Sequence, residues 1–241
     1  MNYYHTNDEI NEIGEGLIRK YNYQAFIQGD PTDIEGFITA HLNYRIVYDK
    51  LAERDAGKLA FLADGKETLK VWRDGKRVEV LPPEGMIVVD EFLLQEKNKT
   101  RRRFVLAHEA GHIIMDKLSN RPVAAAYSDE FDSEQEYSLQ DFAAMFSINE
   151  SKATSMGVAL LMPQTLVINR VNAMIAPRKR IPLYGSSVLS DGDRAIINKL
   201  AEHFQVSYKS MFYRLRDLKL FAPKEIDEYI DSSFGNVGGA V

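Results

Sequence analysis

His108-Glu109-Ala110-Gly111-His112 sets two imidazoles four residues apart. On an α-helix that spacing stacks them one turn above each other, so both ring nitrogens can address one point, as two ligands of a tetrahedral zinc ion must. Glu109 sits one residue round the helix. From there its carboxylate reaches a water beside the metal rather than the metal itself, and can take that water's proton as it attacks a peptide carbonyl. Gly111 costs a helix about 1 kcal/mol relative to Ala, so a small residue here points to a neighbouring element packed close beside the site. A motif this short also arises by chance. Its flanks, Phe104-Val105-Leu106-Ala107 and Ile113-Ile114, are apolar enough to bury the helix that carries it.

A catalytic zinc needs a third protein ligand and an open position for water. The chain has no cysteine, so thiolate sites and disulfides are excluded and the ligands must come from His, Asp and Glu. No third histidine follows at short spacing, which points to a carboxylate. Glu136 and Glu150 are the candidates. Glu136 precedes the capping pair Ser138-x-x-Asp141 and so lies outside a helix, whereas Glu150 opens the helix that runs to Leu161. A rigid element favours Glu150, although with Ser147 it also forms a capping pair. Zn2+ is the expected ion, one per chain, with Mn2+ as the alternative.

The elements that must position these groups read as an α+β fold. Apolar Ile10, Ile13, Leu17, Ile18 and Tyr21 recur at helical spacing after Asn7-Asp8-Glu9, and a second short helix follows Pro31-Thr32-Asp33. Strand texture follows at 44–48, 59–62, 68–72, 78–81 and 86–89, with Asp64-Gly65 and Asp74-Gly75 as turns. The short connections predict a small, largely antiparallel sheet packed on the metal-binding helix, about Thr100 to Lys117, and on the helix of Glu150. Beyond Met162-Pro163 come a helix at 164–174, an irregular stretch at 176–192, and helices at 193–204 and 208–218. This divides the chain into a peptidase domain at 1–163 and a helical, helix-turn-helix-like region at 164–241. The 241 residues carry 30 Lys plus Arg against 35 Asp plus Glu, a net charge that does not suit a nucleic-acid coat protein. Neither a leader pattern nor a membrane-spanning run of about 18 apolar residues is apparent, so a cytoplasmic protein is expected.

Arg102-Arg103-Phe104-Val105-Leu106-Ala107-His108-Glu109-Ala110-Gly111-His112, together with Glu150-Ser151-Lys152-Ala153-Thr154 and Ala159-Leu160-Leu161-Met162-Pro163, resembles the ImmA/IrrE family of metallopeptidases. The resemblance covers most of the chain, from about Ile10 to Ile230. It implies that Glu150 is the third metal ligand, and that the substrate is a regulatory protein, typically a helix-turn-helix transcriptional repressor. Two departures stand out. Thr154 occupies the position where the family usually has Asn or Asp, a group expected to orient a ligand from behind. The segment from Asp116 to Ile148 is long, and Glu136-Tyr137-Ser138 within it faintly imitates the ligand segment.

The helix pair around Leu200 to Leu218 turns at Val206-Ser207, with Ser207 as the expected cap of the second helix. Were it to read DNA, Tyr208, Lys209, Ser210 and Tyr213 would face bases and Arg214 or Arg216 phosphates. The second helix lacks a dense basic face, so packing on the peptidase core is the stronger expectation, and the basic runs 97–103 and 178–180 read as solvated surface. The alternative function is a DNA- or protein-binding regulator whose metal site is structural or vestigial. Glu109 argues against it, because a structural site has no use for a base beside the metal. Tyr127, Tyr137, Tyr184 and His203 all qualify as the group that assists the oxyanion.

Overall fold

The computed structural model describes residues 5–52, 58–119, 126–128 and 148–234. Helix α1 (Asn7–Tyr21) starts from a capping box: Glu9 N–H donates to Thr6 Oγ1, and Thr6 N–H donates to Glu9 Oε2 at 2.7 Å. The cap is therefore Thr6, which stands three residues before a glutamate that can reach back. Ile10, Gly14 and Ile18 form its buried stripe. A short α2 (Tyr23–Gln28) follows and stops at Gly29, whose φ of 73° only glycine adopts without cost. Asp33 then caps α3 (Ile34–Gly36), which runs into a π-helical turn at Phe37–His41 that buries Phe37 and Ile38.

Strands β1 (Arg45–Asp49), β2 (Ala60–Ala63), β3 (Leu69–Arg73), β4 (Lys76–Val80) and β5 (Met86–Asp90) fall within two residues of their sequence-based positions, but they do not make one antiparallel sheet. The main sheet has the order β1-β5-β2-β6, where β6 is Ala126–Ser128. Its β1–β5 pair is parallel, with Arg45 opposite Met86, while β2–β5 and β2–β6 are antiparallel. The expected largely antiparallel character holds for two of its three pairings; the parallel pair arises because β3 and β4 form a separate hairpin within the long connection from β1 to β5. Asp74 and Gly75, both at positive φ, form the two-residue turn of that hairpin.

Strand β5, Met-Ile-Val-Val-Asp, is buried on both faces and separates two cores. Ala60, Leu62, Ile87 and Val89 face a large helical core, whereas Phe61, Ala63, Met86 and Val88 face a smaller one made with Leu51, Leu69 and Val71 of the hairpin side. At its end, Asp90 is fully buried and accepts from Leu51 N–H and Phe92 N–H at 3.0 and 2.8 Å. This fixes the turn Glu91–Leu94 that delivers the chain into α4 (Lys99–Leu118).

Helix α5 (Ile148–Leu161) lies against α4 and α1, and α6 (Gln164–Ile175) continues after Pro163. The stretch expected to be irregular holds β7 (Ile181–Tyr184), paired in parallel with β8 (Phe221–Lys224), a strand not anticipated. Between them run α7 (Asp191–Phe204) and α8 (Tyr208–Asp217), and α9 (Ile226–Phe234) follows β8. Ser207 caps α8 as expected, accepting from Ser210 N–H at 3.0 Å. Leu166, Val171, Ile197, Phe204, Met211 and Leu215 belong to the same apolar cluster as Leu106 and Ile113 of α4. No helix among the described residues is long and apolar enough to cross a membrane.

Candidate metal centre

Two glycines, each facing an alanine of the other helix, set how close α4 and α5 approach. A Cβ on Gly111 would stand 2.2 Å from the Ala153 carbonyl oxygen, and one on Gly157 would stand 2.9 Å from the Ala107 carbonyl. Each helix thus presses its backbone into a gap the other leaves, and α1 does the same from behind, where a Cβ on Gly14 would lie 2.8 Å from Ala159 Cβ. The close approach expected from Gly111 is therefore real. Gly157 was not singled out, although Ala153-x-x-x-Gly157, two small residues on one helical face, is a signal the sequence carries.

This packing brings His108 and His112 of α4 to Glu150 of α5. His108 Nε2 and His112 Nε2 are 3.0 Å apart, and Glu150 Oε2 lies 3.2 Å from the first and 3.3 Å from the second. The rings meet edge to face, with centroids 4.6 Å apart. Among the described residues these three form the group able to hold a metal ion. Their spacing matches the purpose: ligands about 2.05 Å from a tetrahedral zinc stand about 3.3 Å from one another. Two imidazoles and one carboxylate suit a first-row transition ion and leave calcium, with its six to eight oxygen ligands, poorly served.

Behind His108, Thr154 Oγ1 lies 3.2 Å from Nδ1. His108 is almost fully buried, so this contact selects the ring's orientation. With Nδ1–H donating to the hydroxyl, Nε2 keeps its lone pair for a metal. The departure from the family pattern at this position is thus a change of partner from amide or carboxylate to hydroxyl, made by a residue still within reach of the ring.

Burial raises the carboxyl of Glu150, but the hydrogen bonds with His108 and His112 overcome it and bring the pKa down to about 2. Burial likewise works against protonated His112. The Glu150 hydrogen bond and the negative charges of Glu109, Glu150 and Asp116 reverse this, and its pKa is raised. Glu109 is fully buried beside the pair. The centre is therefore a pocket of negative potential that attracts a cation.

Glu136 and Tyr137 lie outside the described residues, as do the caps expected at Ser138 and Ser147; for Tyr127 only the backbone, in β6, is described. Of the other oxyanion candidates, Tyr184 packs its ring on Tyr229 with centroids 5.4 Å apart. His203 engages the Gly29 carbonyl at 2.7 Å and the Arg170 guanidinium at 3.3 Å. Both have structural partners.

Arg103, in a basic run expected at the surface, is internal. Arg103 donates to the carbonyls of Thr32 and Gln205, and Arg102 pairs with Glu35 at 3.1 Å. Arg214, only 3% exposed, clasps the Met162 carbonyl through Nε and one terminal nitrogen at 3.0 and 2.8 Å and donates to Asn11. With Ser210 also buried, two of the residues that would have to read DNA are turned into the protein, while Tyr208 and Arg216 stay exposed.

A sheet backed by a His-Glu-x-x-His helix, with a glutamate delivered from a second helix to both histidines, is the framework of a metal-dependent peptidase. Residues 92–216, over half of the chain, match the model of the Peptidase_M78 family, described as the IrrE N-terminal-like domain, and the protein belongs to this ImmA/IrrE family of metallopeptidases. A comparison with curated proteins gives no match.

Proposed function

We propose that the protein is a zinc metallo-endopeptidase in which His108, His112 and Glu150 hold the ion and Glu109 is the catalytic base. The observation that carries this reading is the convergence of three donor atoms at 3.0–3.3 Å beside a buried glutamate, in a chain of a metallopeptidase family. When bound, zinc polarises a water and the scissile carbonyl, lowering the cost of forming hydroxide near neutral pH. Glu109 takes the water's proton as the oxygen attacks the carbonyl carbon and returns it to the leaving amine. Thr154 holds the His108 ring so that Nε2 faces the ion. The family and the burial of Arg214 and Ser210 favour a protein substrate over DNA, and the proposed substrate is a helix-turn-helix repressor in the cytoplasm. Residues 1–163 supply the chemistry, and 164–241 brace the ligand helix.

The test is co-expression of the wild type and Glu109→Gln with the repressor encoded beside this gene, followed by mass measurement of fragments and metal analysis of both proteins. The wild type should cut the repressor at a defined bond. Glu109→Gln should keep its zinc and cut nothing, whereas His112→Ala and Glu150→Ala should lose the metal. A Glu109→Gln protein that still cleaves would refute the mechanism, and full metal occupancy in Glu150→Ala would move the third ligand elsewhere.

A further inference from the structure

The hairpin β3–β4 leaves one edge of β4 open: among the described residues β4 pairs only with β3, whose other side is taken up by Lys50, Leu51 and Ala52. In a hairpin closed by the two-residue turn Asp74-Gly75, the flanking pair Arg73 and Lys76 exchange backbone hydrogen bonds, and such pairs recur at every second position. Lys76, Val78 and Val80 therefore turn their amides toward β3. Arg77 and Glu79 turn theirs outward.

An exposed edge is commonly blunted by charge, and a blunting edge sets like charges against any copy of itself. Here the order Arg77-Val78-Glu79 is complementary to itself when reversed. An antiparallel copy centred on Val78 sets Arg77 against Glu79 of the second chain and Glu79 against its Arg77, and these are the two residues whose N–H and C=O groups point outward. The side chains extend the match. On the outer face, Lys70 lies 4.0 Å from Glu79, and Arg77 lies over the Trp72 ring at 5.3 Å. Pairing would thus run a row of Lys70, Glu79, then Arg77 and Trp72 of the second chain, with alternating character throughout. On the inner face, Val78, 39% exposed beside buried Val71, would meet its own copy at the close, non-hydrogen-bonded position.

We propose that β4 is a self-pairing edge, through which two copies of this chain join their hairpins into one continuous sheet around a two-fold axis at Val78. The contact is narrow, so the dimer is concentration-dependent rather than permanent. It lies on the face of the main sheet opposite α4, because the hairpin packs on the small core and not on the helical one, and so leaves the metal centre accessible.

Sedimentation velocity on the full chain tests it. The wild type should show a monomer–dimer equilibrium. Arg77→Glu and Glu79→Arg each put like charges at both facing positions and should raise the dissociation constant about tenfold or more. An equimolar mixture of the two variants restores opposite charges at both positions and should dimerise again, as should the double variant Arg77→Glu/Glu79→Arg. Recovery in the mixture also shows that both variants are folded. A wild type that stays monomeric at its highest attainable concentration would overturn the proposal and leave the edge to an extended segment of another protein. Single variants that dimerise like the wild type, or a double variant and a mixture that both stay monomeric, would overturn it too.

Discussion

Substituting Gly111 by Ala adds one methyl group at the point where α4 meets α5, and the structure sets the consequence. The new Cβ would stand 2.2 Å from the Ala153 carbonyl oxygen, 2.9 Å from its carbon and 3.0 Å from its Cα. All three are backbone atoms that no rotamer can move. Restoring an ordinary contact, with non-bonded atoms about 3.5 Å apart, requires the helices to separate by on the order of 1 Å. Overpacking of this kind costs about 1–3 kcal/mol, against which the better helix propensity of Ala returns about 1 kcal/mol. The net loss of up to about 2 kcal/mol corresponds to a fall in melting temperature of up to about 8 °C for a chain of this size. The larger effect falls on the metal. Ala153 is next to Thr154 and three residues from Glu150, so the same retreat stretches the ligand spacings of 3.2 and 3.3 Å. A drop in metal affinity of about 10–100-fold is expected, comparable to losing an outer-shell partner. Thermal denaturation of the metal-free protein and zinc titration against a chromophoric chelator measure the two effects separately. Gly16→Ala in α1 is the control: its Cβ meets nothing within 4 Å, so it should be neutral or stabilise by up to about 1 kcal/mol. Unchanged affinity and melting temperature in Gly111→Ala would refute the claim that this glycine sets the helix separation.

Thr154→Val keeps the shape but removes the oxygen that meets His108 Nδ1, and should weaken zinc binding about 10–100-fold in the same titration, with Thr154→Ser recovering most of it; equal affinities in all three proteins would show the contact to be incidental. A third expectation concerns acid stability. The hydrogen bond from Arg73 holds the Asp49 carboxyl below its ordinary value of 3.8, against the opposing effect of burial. The folded state therefore binds fewer protons there than the unfolded one. The stability this adds is complete above the ordinary carboxylate pKa and disappears as pH falls through the lower, folded value. Urea denaturation across that range should show a shallower acid limb for Asp49→Asn than for the wild type, and parallel limbs would contradict it.

What could be read before the structure was whatever local chemistry decides. Helix α1 follows from apolar spacing and an acidic first turn, the start of α8 from its Ser207 cap, and the β3–β4 turn from Asp74-Gly75, whose positive φ angles a hairpin requires. The pairing of β1 with β5 was not legible, because it joins segments some forty residues apart and nothing in either strand encodes its partner. Strands β7 and β8 were hidden for another reason: each is four residues long and contains a proline, Pro182 or Pro223, which lowers any strand signal. At the metal centre the two histidines came from spacing alone. Glu150 was favoured by its place on a rigid helix and given as third ligand by the family register, although a capping pattern offered another use for the same carboxylate. Thr154 could be flagged but not interpreted, because only the packing of α5 on α4 brings its hydroxyl to a ring forty-six positions earlier in the chain.

The same packing bears on where the functional unit ends. Glu150 stands in the first turn of α5, and a ligand at one end of a helix is only as well placed as the other end is held. That other end is held both from within the first 163 residues and from beyond them. Arg214 of α8 clasps the Met162 carbonyl, while Thr32 Oγ1 donates to the Leu160 carbonyl at 2.7 Å, and the Thr32 carbonyl in turn accepts from Arg103 of α4. Arg103 also reaches the Gln205 carbonyl in the turn between α7 and α8. Removing α7 and α8 would strip the Met162 carbonyl of both hydrogen bonds from Arg214 and deprive Arg103 of its Gln205 acceptor, at about 1.5–3 kcal/mol for each such bond, and would expose the apolar face that Phe204, Met211 and Leu215 cover. The family match runs to residue 216, the last turn of α8, and so includes this brace. We therefore expect a division at Pro163 to separate roles rather than folding units: Arg214 of α8 clasps the end of the helix that carries Glu150, and a chain cut after Pro163 should lose its metal together with its fold.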